Sequence, residues 1–146
     1  MTDDTPRRDD RITRTVSFRL LRAVNRMTRP FHETFGRRFG VTLPQWRCLM
    51  ALAAGPDRSG EDVAEAMGMD RMTISRTLRA LEAAGRAERR ADPHHARRNL
   101  WRLTADGWAI ADAVIPEALA RDGTLFGQLD REDWAALDRI LGKLEG

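Results

Sequence analysis

Residues 59–104 read SGEDVAEAMGMDRMTISRTLRALEAAGRAERRADPHHARRNLWRLT, and this stretch decides the fold. Ser59 stands three residues before Asp62, the spacing of a helix capping box. Glu61 and Asp62 put acid in the first turn, where the helix dipole favours it. Val63, Ala64 and Met67 follow at helical spacing, and Ala64 is small where a second helix must come close. Gly68 predicts a stop in the left-handed conformation. Asp70 is placed to cap a second helix that runs to about Ala84 and ends at Gly85.

In that second helix Ile74, Leu78 and Leu81 follow an i, i+4, i+7 pattern and face a core. The opposite arc carries Met72, Arg76 and Arg79, with Thr73 and Ser75 on its flanks and Arg71 near its N-terminus. A purely structural surface helix usually mixes charge signs. This arc is basic, holds hydroxyls and meets no acid until Glu82. Alone it says little, because charged arcs are usually just solvated. Its context says more. Arg86–Arg90 predicts one strand and Asn99–Leu103 another, with Leu100 and Leu103 apolar on the return. Between them Asp92-Pro93 favours a turn, and Arg97 and Arg98 put charge at or near the tip. Arginine there suits a narrow minor groove, where the negative potential is enhanced. Thr104 caps the next helix, with Asp106 in its first turn. Helix, turn, helix and two-stranded wing make a winged helix-turn-helix, mainly α with a small β wing, which lays one helix in the DNA major groove.

On either side lie more helices than one such module needs. Val16 to about Phe39 reads as a long helix, with Leu20, Val24, Met27, Phe31 and Phe35 every three or four residues. Pro30 falls inside it and predicts a kink or interruption there. Gly40 ends it, Thr42 caps and Pro44 opens the next helix, Gln45 to Ala54, which carries Trp46, Leu49, Met50 and Leu52. Near the C-terminus Trp108, Ala111, Val114 and Ile115 mark a fifth helix. Asp130 and Asp133 open a sixth, with Trp134, Leu137, Leu141 and Leu144 as its apolar stripe. The stripes fit either an intrachain core or an interface. The expected organisation is a flexible tail over 1–12 and one domain over 13–146. Within that domain, flanking helices over 13–39 and 105–146 enclose a DNA reader over 42–104.

A chain of 146 residues is one domain's worth, long enough for a modest core. Lys143 is the only lysine; the other basic residues are arginines, which pair bidentately with phosphate and guanine. Arginine-rich codon usage accounts for part of that bias, so distribution matters more. From Asp70 to Thr104 nine arginines face four acids, a net +5, whereas from Ala105 to Gly146 four basic residues face nine acids, a net −5. The excess therefore sits on the proposed reader. A single cysteine excludes an intrachain disulfide framework. The N-terminus MTDDTPRRDD lacks the apolar segment of a signal peptide, and no apolar run reaches membrane-spanning length. A soluble, cytoplasmic protein is expected.

VTLPQWRCLMALAAG, EDVAEAMGMDRMTISRTLRALEAAG and the wing ending LWRLTADG closely resemble the MarR family of bacterial transcription regulators. The resemblance runs from about Val16 to Leu144. It implies an obligate homodimer whose terminal segments interlock, and a winged helix-turn-helix in each subunit. It also implies ligand-modulated binding to a pseudo-palindromic operator, usually as a repressor. A twofold dimer sets two recognition helices roughly 34–36 Å apart, one DNA turn. The DNA-contacting set is then Arg71, Met72, Thr73, Ser75, Arg76, Arg79, His95, Arg97 and Arg98. The family wing often has an acid two residues before its arginine. If Arg97 is that arginine, His95 replaces the acid and is placed to touch phosphate, more strongly when protonated. Family members often bind small aromatic anions, which makes Phe31, Phe35, Trp46 and Trp108 candidate pocket walls and Arg22 or Arg47 a candidate counter-ion. Ordinary core packing for the aromatics, and solvent for the arginines, is the plainer alternative.

Three other chemistries are weaker. Cys48 is the only thiol, and a small buried core residue is the preferred reading. The peroxide-sensing branch of the family carries its cysteine early in the first helix, where this chain has Ser17. His94 and His95, with Asp92 nearby and His32 elsewhere, lack a second ligand pair at metal spacing, so no metal and no cofactor is expected. An enzyme using Cys48 and a histidine would need an oriented base and an oxyanion site that nothing supplies. A helical protein-interaction module fits neither the basic arc nor the wing. An effector-independent or architectural DNA binder stays open beside the effector-controlled regulator.

Overall fold

The computed structural model describes residues 11–146, apart from the side chain of His32. The expected N-terminal tail falls almost wholly outside them. The chain divides into two compact units, Met1–Gly40 and Val41–Gly146.

In the first unit a 3-10 turn, Ile12–Arg14, leads into α1, Val16–Glu33, followed by α2, Phe35–Phe39. The Thr15 hydroxyl caps α1 by accepting from the Phe18 N–H. The interruption expected at Pro30 occurs four residues later, at Thr34. Proline lacks its own N–H and hinders the turn before it, yet leaves the following turn free to continue. The break falls at Thr34. Its hydroxyl donates to the Pro30 carbonyl at 2.8 Å, and its backbone leaves helical geometry.

The second unit runs α3 (Leu43–Ala54), β1 (Arg58–Ser59), α4 (Gly60–Met67), α5 (Arg71–Ala83), β2 (Ala87–Asp92), β3 (His95–Leu103), α6 (Ala105–Phe126) and α7 (Arg131–Glu145). Local chemistry accounts for most boundaries. Thr42 and Gln45 form a capping box on α3, and Ser59 and Asp62 form one on α4. Gly68 ends α4 with φ 58°, a conformation costly for any residue bearing a Cβ, and Asp70 caps α5 through the Thr73 N–H. Asp130 opens α7 with a third box, closed by Asp133.

The core of this unit lies where α3, α4, α5, the sheet and the first half of α6 meet. Leu49, Leu52, Val63, Ile74, Leu78, Leu81 and Val114 are fully enclosed there. Ile74, Leu78 and Leu81 are the stripe expected of α5. The strands lie antiparallel in the order β1-β3-β2. On the return strand the buried residues are Trp101 and Leu103, one strand period apart, and not the pair Leu100 and Leu103. Side chains three positions apart point to opposite faces of a strand. On α6 the buried face is Gly107, Ile110, Ala111 and Val114, and Trp108 is exposed. A Cβ on Gly107 would sit 2.0 Å from the Arg86 carbonyl, so glycine alone lets α6 approach the turn between α5 and β2. Pro116 lies within α6, which continues past it.

Candidate nucleic-acid interface

The interface begins with how α5 is held. Its apolar stripe is fully buried, which turns the opposite arc outward and leaves Met72, Arg76 and Arg79 exposed. Thr73 and Ser75 lie half-buried on the flanks. Thr77, also on this helix, donates its hydroxyl to the Thr73 carbonyl and is buried.

Strand β2 and strand β3 form the wing, whose turn is at Pro93 and His94. The Asp92 carboxylate accepts the His94 N–H at 2.8 Å and closes that turn. Arg97 and Arg98, expected at or near the tip, lie on β3 just beyond it. There the register slips: Ala91 faces Asn99, but Asp92 faces His95. Residues 96–98 therefore bulge from the ladder.

Ion pairing separates the basic residues of this region into two classes. Arg89 pairs with Glu82 at 3.1 Å, Arg90 with Asp57 at 2.9 Å and Arg102 with Glu88 at 2.6 Å. Arg71 pairs with Glu61 across α4 and α5. Arg98 pairs with Asp62 at 2.7 Å. Arg76, Arg79 and Arg97 have no ion pair among the described residues. The net charge of the segment is thus concentrated on two α5 side chains and one wing side chain, because the rest is largely neutralised locally.

A shallow groove of about 260 Å³ joins the two sources. Ser75 and Arg79 of α5 line one side, Arg97, Arg98 and Asn99 of β3 the other, with Ser59 and Gly60 at the start of α4. Four residues expected to read DNA are brought together here: Ser75, Arg79, Arg97 and Arg98. Met72 and Arg76 lie elsewhere on the exposed arc, and His95 lies exposed beside the wing turn. Asn99 was not among the expected contacts. It lines the groove next to Arg97 and Arg98, where the ladder resumes after the bulge, a displacement that no sequence period signals. The strand β1 also escaped the sequence, since two residues carry no periodicity; its pairing with Leu100 and Trp101 holds the start of α4 against the wing.

The sequence profile of the MarR family matches residues 39–98. An HTH-type transcriptional repressor of Mycobacterium tuberculosis is 30% identical over 125 residues, covering 86% of this chain and 90% of its own length. The chain belongs to the MarR family. Among solved structures, Bordetella bronchiseptica BpsR, whose DNA binding is regulated by 6-hydroxynicotinic acid, is 28% identical. It superposes with a TM-score of 0.77, covering 90% of this chain and 98% of that one. MepR of S. aureus, solved as a DNA complex, is 25% identical with a TM-score of 0.79, covering 89% and 96% respectively. This MarR-family chain is accordingly a DNA-binding transcription regulator of winged-helix fold, in a family of regulators and not of enzymes.

The remaining candidates fall in both units. Phe31 and Phe35 are buried in the first, their rings 6.2 Å apart and tilted, whereas Arg22 on α1 is exposed. In the second, Trp46 and Arg47 are half-buried on α3 and Trp108 is exposed on α6. Cys48 is wholly enclosed, and burial pushes its thiol up to about 11. It is a neutral core side chain at physiological pH. Among the described residues no group of His, Cys, Asp and Glu is arranged to hold a metal ion, and no helix is long and apolar enough to cross a membrane.

Proposed function

We propose that this regulator works as a homodimeric repressor on a pseudo-palindromic operator. In each subunit α5 enters a major groove through Arg76, Arg79, Ser75 and Met72, and Arg97 of the wing reaches the adjoining minor groove or its phosphates. The observation that carries this reading is the concentration of unpaired arginine on one arc of α5 and one wing position. Support for the dimer comes from apolar side chains left exposed at both ends of the chain. Val16, Leu20, Leu21 and Val24 lie open on α1, and Trp134, Ile140, Leu141 and Leu144 on α7. Two operator half-sites need two readers at a set spacing. The repressor sign rests on the name of the mycobacterial relative.

Release by a small aromatic anion completes the proposal, with BpsR and 6-hydroxynicotinic acid as the precedent. Within the second unit the residues assigned to it are Trp46, Arg47 and Trp108. Such a ligand acts only through its different affinity for the DNA-competent and incompetent states. A coupling of about 1–3 kcal/mol lowers operator affinity roughly 5- to 150-fold.

A gel shift with the duplex immediately upstream of the chain's own coding sequence tests both parts. Salt-dependent binding, with specific complex persisting over random competitor, is expected. 6-Hydroxynicotinate and salicylate are the first effectors to add, with tryptophan fluorescence reporting binding. DNA release over the same concentration range as the fluorescence change supports effector control. Operator binding that no such anion alters favours an effector-independent DNA binder.

A further inference from the structure

We propose that Arg98 is a positioning residue that fastens the wing to the first turn of α4, so that its neighbour Arg97 is the wing residue that meets DNA. This rests on the DNA-binding reading above. The Arg98 Nη2 donates to both side chains of the α4 capping box, Ser59 Oγ at 2.9 Å and Asp62 Oδ2 at 2.7 Å. Its Nε faces Asp92 Oδ2 at 3.8 Å and is closed off from solvent. Asp92 is buried and, through its other oxygen, holds the wing turn at His94. One guanidinium thus connects the N-terminus of the helix-turn-helix to the wing turn.

The bulge gives this connection its purpose. With residues 96–98 out of register, ladder hydrogen bonds do not set where the side chains of that segment point. Arg98 supplies the constraint from the side. Its charge is opposed by two carboxylates, Asp62 and Asp92, and its Nη2 serves two acceptors, so little of it is left for a phosphate. Hydrogen bonds from Ser59, and then Arg98, hold the Asp62 carboxyl below its usual range, so it is the ionised partner that the tie requires. Arg97, next in the same bulge, is exposed and has no ion pair among the described residues.

The test is the salt dependence of DNA affinity, measured on the upstream duplex and on a random-sequence duplex. Wild type, Arg97→Ala, Arg98→Gln and the double variant are compared. Losing one phosphate contact lowers the slope of log affinity against log salt by about one. Arg98→Gln should lower it by about one, as Arg97→Ala does, and the double variant by about one in total, since both remove the same contact. A drop of about two in the double variant means that Arg98 makes its own contact and overturns the proposal, as does an unchanged slope in Arg98→Gln. Asp62→Asn attacks the tie from the other side, whether or not Arg98→Gln folds by circular dichroism. Removing an acid near DNA should by charge alone tighten binding; loss of the tie predicts weaker binding with a lower slope. Tighter binding with the wild-type slope would sink the idea. A wild type that binds neither duplex fails the DNA-binding reading itself, and that result is separate from additivity among variants that bind.

Discussion

Helices α5 and α7 are near twins in sequence pattern and opposites in burial. Each is capped by an aspartate, runs for about four turns and carries an aliphatic stripe at helical spacing. On α5, Ile74, Leu78 and Leu81 are 0% exposed. On α7 no residue is buried, and Trp134, Ile140 and Leu144 are 43%, 47% and 64% exposed. The chain itself completes the α5 stripe, through α3, α4 and the sheet. It leaves the α7 stripe open, which is why we assign that face to a second copy. An apolar stripe therefore predicts a buried face and leaves open what buries it.

The sharpest way to break the comparison is to charge the open stripe. Leu137→Asp with Leu141→Asp should convert the proposed dimer to monomer or aggregate and abolish operator binding, because unpaired charge is costly to bury. Sedimentation giving a wild-type monomer at micromolar concentration, still binding a palindromic site as one copy, would remove the contrast.

On α5 the expected loss is intrachain. Leu78→Ala should cost about 2–5 kcal/mol of unfolding free energy, from lost burial plus the cavity left behind. Denaturant unfolding at several protein concentrations separates the two helices: the Leu78→Ala decrement should not depend on concentration, whereas a decrement from Leu141→Ala should.

A smaller effect tests the arc that α5 turns outward. Arg76→Ala should weaken specific binding by about 1–3 kcal/mol and relax preference at one base position, with the fold intact. Arg102→Ala, which removes an arginine already paired with Glu88, should change affinity far less. Equal losses in a titration of both variants would show that pairing does not sort the arginines as we infer.

The smallest effect concerns Cys48. The fold raises its thiol to about 11 from an ordinary 9.0, so it favours the neutral form. That contribution is present below the ordinary thiol range and disappears as pH rises through the shifted value. Thiol reagents at pH 8 should label the native protein slowly and the unfolded protein fast, and Cys48→Ser should leave DNA release by effectors unchanged. Rapid native labelling coupled to loss of DNA binding would recast Cys48 as a sensor.

Where the sequence was legible, the cause was local. Ser59 with Asp62, Asp70 before α5 and Gly68 after α4 each satisfy or end a helix through atoms within a few residues, so spacing alone located them. Pro30 was legible only in part, since α1 continues one turn past it and the interruption falls at Thr34. Trp101 was overlooked because Leu100 and Leu103 look apolar in a row, and only the pleat distinguishes the two faces.

By itself, then, the sequence determined the helices, their caps, the order of the winged module and the outward arc of α5, all set by contacts short along the chain. Tertiary structure decided which arginines remain available. Asp57 reaches Arg90, Glu82 reaches Arg89 and Asp62 reaches Arg98 across separations that no periodicity encodes. Charge is a property of composition, but its neutralisation depends on distance in space, screened at a protein surface over roughly 8–10 Å near physiological ionic strength. Nine arginines in one segment become three available ones only once the wing is folded against the helices.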